Sequence, residues 1–309
     1  MPTIYINVLT QVIILLILIF VGFFFEKLKI LNDTAVKSVT DIVLFAVTPC
    51  VIIKSFADRE YTPSLLKALL LSIGWAVAIH LLFIAIAHLV IRTKNVSAKR
   101  VLIFSTVFSN CGFMSIPLQQ AVLGTDGVFF AASYVAIFNV FMWSYGSFVM
   151  SGDKKVLLSK KAVINPGVLS VAIGIIIFIL SVPIPKIVYE PISYMAAFNT
   201  PLPMIIIGYH LSKSSFFKTF KDISALWCIA LRLVITPLLA LGIMWLCGLR
   251  GTLLVSLAIS TCAPIAAAAT MFAQKFDGDT ALSANIVSLS TVLSVITMPL
   301  IITFASLIS

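Results

Sequence analysis

The stretch Asn110-Cys111-Gly112-Phe113-Met114-Ser115-Ile116-Pro117 lies inside an otherwise apolar run, residues 101–123. A run of that length can cross a bilayer, which takes about 20 mostly apolar residues. It is nevertheless a poor continuous helix. Pro117 removes an intrahelical hydrogen bond and crowds the preceding turn, and Gly112 is a second helix breaker. Another apolar run, residues 252–273, carries Pro264 in its interior. Unwound backbone at membrane depth is tolerable only beside protein or a watery cavity, because its N–H and C=O groups need partners. The two runs therefore read as broken spans that create a polar site.

Working outward, apolar runs broken by charge and turn residues number ten: residues 4–25, 36–56, 65–91, 101–123 and 128–150, then 163–182, 191–211, 223–247, 252–273 and 280–307. The composition agrees. Of 309 residues, 61% are hydrophobic and 10% charged, against about 45–50% apolar and about 25% charged in soluble domains. An ordinary soluble enzyme is excluded, and ten spans leave only short connections. The net charge of +10 would raise the question of nucleic acid in a soluble protein. Here the basic residues sit in short pieces between apolar runs, as with Arg92, Lys94, Lys99 and Arg100, so they set topology rather than bind nucleic acid. With ten spans, 15 Lys and Arg residues fall on one side and 4 on the other, while Lys54 and Arg232 lie within spans. That bias makes the first side cytoplasmic and both termini extracytoplasmic, in a multi-pass protein of the cell membrane. The first run has no basic residue before it and no small-residue cleavage site, so it reads as a retained span. The cysteines Cys50, Cys111, Cys228, Cys247 and Cys262 form no CxxC pair and have no His at metal-ligand spacing, giving neither a disulfide nor a metal signal. No cofactor is expected.

Compared with itself at an offset of 151 or 152, the chain matches in register along most of its length. Thr48-Pro49 meets Thr200-Pro201, Gly22 meets Gly174, Thr125-Asp126-Gly127 meets Phe276-Asp277-Gly278, and Asn139 meets Ser290. Two halves of five spans have opposite orientations, because an odd number of crossings returns the chain on the other side. The expected fold is an all-α polytopic membrane protein, ten helices in two inverted repeats, residues 1–155 and 156–309, with helices 4 and 9 broken and crossing. Such a repeat points to a secondary transporter with its site near the bilayer midplane.

The 110–117 stretch, followed by Leu118 through Gly124, resembles the N-x-G-x-x-G-x-P segment of the auxin efflux carrier family, which includes plant PIN-FORMED carriers and bacterial malate or malonate permease-like proteins. Ala46-Val47-Thr48-Pro49, Asn199-Thr200-Pro201 through Gly208, and Phe272-Ala273-Gln274-Lys275-Phe276 are similar to its second, seventh and ninth helices. The resemblance implies a scaffold from helices 1, 2, 6 and 7, a moving transport domain from helices 3–5 and 8–10, organic anions as substrates, and a homodimer. In two places the chain departs from the pattern. Ser115 replaces the usual Gly, and Ile265-Ala266-Ala267-Ala268-Ala269 lacks a second Pro, which moves the expected ninth-helix break toward Pro264. The long cytoplasmic loop of plant carriers is absent too, so its kinase regulation is not carried over.

The candidate substrate-binding residues are Asn110, Cys111, Ser115, Ile116 and Pro117 in the fourth span, Asn139 in the fifth, Thr261, Pro264, Ile265 and Ala266 in the ninth, and Ser290 in the tenth. Asn110 leads them, since its amide offers donors and an acceptor beside the expected unwinding, against the alternative of a helix-packing hydrogen bond. Pro117 and Pro264 shape the breaks, or form simple kinks. Asn139 matches a fifth-helix position that is Gln in plant relatives, and Ser290 and Thr261 compete with ordinary packing roles. For charge or coupling the candidates are Arg232, Lys54 and His80. An arginine deep in a span is costly and demands a partner or a cavity, so Arg232 either attracts an anion or pairs with a carbonyl or carboxylate. Lys54, near a span end, can snorkel, and His80 can titrate or simply pack. The expected function is secondary transport of small organic anions, mono- or dicarboxylates of auxin-like or malate/malonate-like type, by elevator-type alternating access. A channel-like or sensory protein on the same fold is the alternative. No HExxH, GxSxG or paired carboxylates occur within the spans, so an enzyme is not expected.

Overall fold

A computed structural model describes residues 2–158, 165–214 and 216–309. Apart from the short helical turns Lys154–Leu158 and Phe216–Lys221, the regular elements among them are the helices α1 (Pro2–Lys27), α2 (Asp33–Ala57), α3 (Pro63–Val90), α4 (Val96–Val107), α5 (Cys111–Ser151), α6 (Pro166–Leu180), α7 (Lys186–Ala197), α8 (Pro201–Lys213), α9 (Ile223–Leu246), α10 (Gly251–Cys262), α11 (Ala268–Lys275) and α12 (Thr280–Ile308). Six stretches, within α1, α2, α3, α5, α9 and α12, are long and apolar enough to cross a membrane. Their outer faces carry large exposed apolar side chains, among them Ile13, Ile17, Leu70, Leu81, Ile296 and Leu300. In water such a surface would be an aggregation patch; in lipid it is the expected exterior.

The other expected spans arrive in shorter pieces. The fourth is divided into α4 and the first part of α5, and the ninth into α10 and α11. At 1.5 Å per residue the 12-residue helices α4 and α10 rise about 18 Å, well short of the ~30 Å hydrocarbon core. The seventh is divided into α7 and α8 at Asn199-Thr200. The sixth, α6, begins at Pro166; the expected start at 163, like Lys160 and Lys161, lies outside the described residues. Gly124 separates the fourth and fifth spans within α5 at φ 63° and ψ −147°, a backbone conformation that L side chains avoid.

Prolines act in a consistent way. Among the described residues four turns widen to the i→i+5 pattern; three of them, Val43–Val47, Cys111–Ser115 and Leu231–Ile235, end two residues before a proline, Pro49, Pro117 and Pro237, whereas Met142–Gly146 widens with no proline after it. A proline leaves the carbonyl four residues back without a donor and pushes its ring at that carbonyl, and a wider turn relieves both. Pro117 thus widens the helix without breaking it. The chain is broken at residues 108–110, ahead of Gly112, whereas the second break, residues 263–267, does contain Pro264.

One side of the molecule is a frame. There α1 lies along α8, and the second half of α2 packs against α6 and α7. Glycines set the spacing: a Cβ at Gly208 would overlap the Ile19 carbonyl oxygen, one at Gly22 the Ile205 carbonyl oxygen, and one at Gly174 the Phe56 ring. Polar side chains pin the frame at both ends. Lys54 donates to Asp58 (2.5 Å) and to the Tyr189 hydroxyl (2.6 Å), while Lys213 donates to Asp33 (2.9 Å) and Tyr209 (2.6 Å). These two hydrogen bonds hold the Lys213 ammonium in its charged form and raise its pKa. The largest apolar core joins α3, α4, α5, α9, α10, α11 and α12 around Phe83, Phe104, Phe108 and Phe272, and reaches the frame through Phe56 of α2 and Phe178 of α6.

Candidate functional site: the paired breaks

Both breaks leave main-chain groups that helices would have satisfied, and each break satisfies the other. The Asn110 N–H donates to the Pro264 carbonyl (2.7 Å) and the Ala266 N–H to the Phe108 carbonyl (3.0 Å), so Ser109 and Ile265 form an isolated antiparallel bridge. Side chains complete the arrangement. Ser109 Oγ donates to the Ser260 carbonyl (2.9 Å), and Ser290 Oγ accepts from the Ile265 N–H (3.2 Å) while donating to Val287 (2.9 Å). A short piece of β-type pairing thereby sits among four helix ends, the C-termini of α4 and α10 and the N-termini of α5 and α11.

Arg232 closes this assembly from α9, projecting from the widened turn that Pro237 imposes. It is fully buried. Its Nε donates to the Ala263 carbonyl (3.2 Å), one terminal nitrogen to Thr106 (3.4 Å) and Val107 (3.5 Å), and the other to Thr261 at close range. Its guanidinium also lies over the Phe83 ring, 5.2 Å from the centroid. The acceptors are the terminal carbonyls of α4 and α10. Carbonyls are thus the partners of Arg232, and among the described residues no carboxylate pairs with it.

The structure gathers most of the other candidates here. Asn110 is 4% exposed and its Nδ2 has no partner; it stands at the start of α5, where a Cβ on Gly112 would meet nothing within 4 Å. Cys111 and Ser115 lie in the widened first turn, with Ser115 Oγ returned to the Cys111 carbonyl (2.5 Å), and Ile116 and Pro117 are buried just beyond. Thr261 reaches the site through its carbonyl, since its hydroxyl donates to Ala258 (3.0 Å).

Two candidates stand elsewhere, and a third, His80, lies behind the breaks beside Arg232 and the Phe108 ring without a hydrogen bond to either. Asn139 is half-buried, donates Nδ2 to Val135 of its own helix (2.8 Å) and packs against Gly167 at the start of α6. Lys54 belongs to the frame, and His80 bonds the Ala76 carbonyl (2.7 Å) and stacks on Phe141. In turn, sequence reasoning overlooked polar groups that do meet the breaks. Gln119 is buried and donates to the Ser256 carbonyl (3.1 Å) and Ser260 Oγ (2.9 Å), joining α5 to α10. Asn199, at the division of the seventh span, donates to the Gly112 carbonyl (3.4 Å) and leaves its Oδ1 unpartnered. An amide within an apolar run was the available signal for both.

Comparison with known proteins adds the family. The chain matches the membrane transport protein family, that of the auxin efflux carriers, over residues 7–160 and 154–302. It belongs to that family. A protein described as an uncharacterized transporter of Methanothermobacter thermautotrophicus is 24% identical over 293 residues, covering 94% of this chain and 95% of its own. A second, described in the same way, from Methanocaldococcus jannaschii, is 24% identical over 302 residues, covering 94% and 96%. As a member of the auxin efflux carrier family, the chain is a membrane transporter.

Proposed function

We propose that this transporter is a secondary carrier of small organic anions that holds its solute at the paired breaks and exposes it alternately to the two sides of the cell membrane. The observation that carries the reading is the Asn110 amide, buried with a free Nδ2 at the N-terminus of α5 and beside the open space at Gly112. Helix N-termini present N–H groups and positive potential, which suit a carboxylate.

The moving unit is formed by spans 3–5 and 8–10, carried against the frame of spans 1, 2, 6 and 7, in two inverted halves, residues 1–155 and 156–309. Support for the halves comes from Gly22 and Gly174, which align at the repeat offset and each bring a span close to one of the other half: α1 to α8, and α6 to α2. Both termini are extracytoplasmic, and the frame is also where a second copy would associate. The test is counterflow in proteoliposomes preloaded with an unlabelled C3–C4 dicarboxylate or an indole carboxylate. Transient uphill accumulation of the labelled compound is expected. Uptake that never saturates and shows no counterflow overturns the carrier in favour of a channel-like protein.

A further inference from the structure

Arg232 brings a full positive charge to the carbonyls at the two breaks. Among the described residues it is the only buried Lys, Arg, Asp or Glu. The titratable groups around it are Tyr134, Cys111, Cys228, Cys262 and His80, none of them a carboxylate. Its hydrogen bonds go to the C-terminal carbonyls of α4 and α10 alone. Each helix end carries roughly half an elementary charge, negative at the C-terminus and positive at the N-terminus. The single guanidinium therefore cancels the two C-termini, while the N-termini of α5 and α11 remain uncancelled and together amount to about one positive charge. Beside the first of them stands the free Nδ2 of Asn110.

We infer that Arg232 sets the charge of the transported species, so that the site takes one negative charge: a monocarboxylate, or a dicarboxylic acid with one proton still on. The inference rests on the carrier reading above. A dianion would leave one charge uncompensated in a region that, among the described residues, buries no other Lys or Arg, and a neutral analogue would leave the two N-termini unsatisfied. Arg232 is a positioning and specificity-determining residue whose guanidinium does not itself contact the solute. Lysine can supply the charge at this position but not the fork that spans carbonyls of both helices.

The test compares labelled succinate with labelled monomethyl succinate in proteoliposomes of the wild-type protein across a pH series above the second ionisation of succinate. Uptake at fixed total succinate is expected to fall nearly tenfold per pH unit, following the singly charged form, while the monoester stays flat. Succinate uptake that is flat or rises with pH overturns the inference and leaves the carrier intact, whereas no uptake of either compound overturns the carrier reading itself. In Arg232→Gln the preference for the monoester over its uncharged amide analogue is expected to drop at least tenfold, with Arg232→Lys retaining it at lower turnover. An unchanged preference in Arg232→Gln also overturns the inference. Should that variant fail to fold, the wild-type pH series decides alone.

Discussion

His80 in α3 and Arg232 in α9 stand at the offset that aligns the two halves of the chain, and they behave in opposite ways. His80 turns back on its own helix, bonding Ala76 and stacking on Phe141. Arg232 leaves its helix and binds carbonyls of two others. The frame shows a smaller contrast, for Gly22 and Gly174 each admit a close approach in their half, Gly22 to the Ile205 backbone and Gly174 to the Phe56 ring. The difference teaches that the scaffolding tolerates near-equivalence while the centre concentrates its charge in one half, so that one cation serves both breaks.

The largest effect is expected where the comparison is most unequal. Arg232→Leu strands four buried carbonyl acceptors and should cost roughly 3 kcal/mol or more, since an unmade hydrogen bond of a buried group costs about 1–3 kcal/mol. Thermal unfolding in detergent reads this as a large fall in midpoint, partly recovered in Arg232→Lys. His80→Phe keeps the stacking and loses one bond, so it should cost about 1 kcal/mol or less. Equal midpoints for Arg232→Leu and His80→Phe would break the comparison.

Within the frame, Gly208→Val and Gly22→Val drive a side chain into backbone oxygen and should cost at least the roughly 1–3 kcal/mol of ordinary overpacking. Gly174→Val meets the Phe56 side chain, which can shift, and should cost less; the same thermal assay ranks them. At the breaks themselves, Ser109→Ala removes one neutral hydrogen bond to Ser260 and should cost about 1 kcal/mol. Amide hydrogen exchange is the finer measurement there, with faster exchange expected at Asn110 and Ala266.

Much of this was legible in the sequence. Apolar runs announced membrane helices, and Asn110, Gly112, Pro117 and Pro264 located both interruptions to within a few residues. Other features were hidden for physical reasons. Pro117 marks a widened turn, and the true break begins at Phe108, a residue with no breaking propensity that is extended because it pairs with Ala266 from the other half of the chain. Arg232 stood out as a buried charge, yet its partners are main-chain carbonyls contributed by distant stretches, which no side-chain pattern records. Asn139 was raised by its alignment with Ser290, although the two face different surroundings: Ser290 meets Ile265 and Asn139 meets Gly167.

That last pair of surroundings offers the most direct measurement of the central claim, that the solute is held at the paired breaks. Carboxylate uptake would be compared in proteoliposomes of wild type, Asn110→Ala and Asn139→Ala at matched amounts of folded protein. The account predicts that Asn110→Ala loses at least tenfold in uptake, chiefly through weaker solute binding, while Asn139→Ala stays within about twofold of wild type. Uptake preserved in Asn110→Ala and lost in Asn139→Ala would contradict it and move the site to the boundary between α5 and α6.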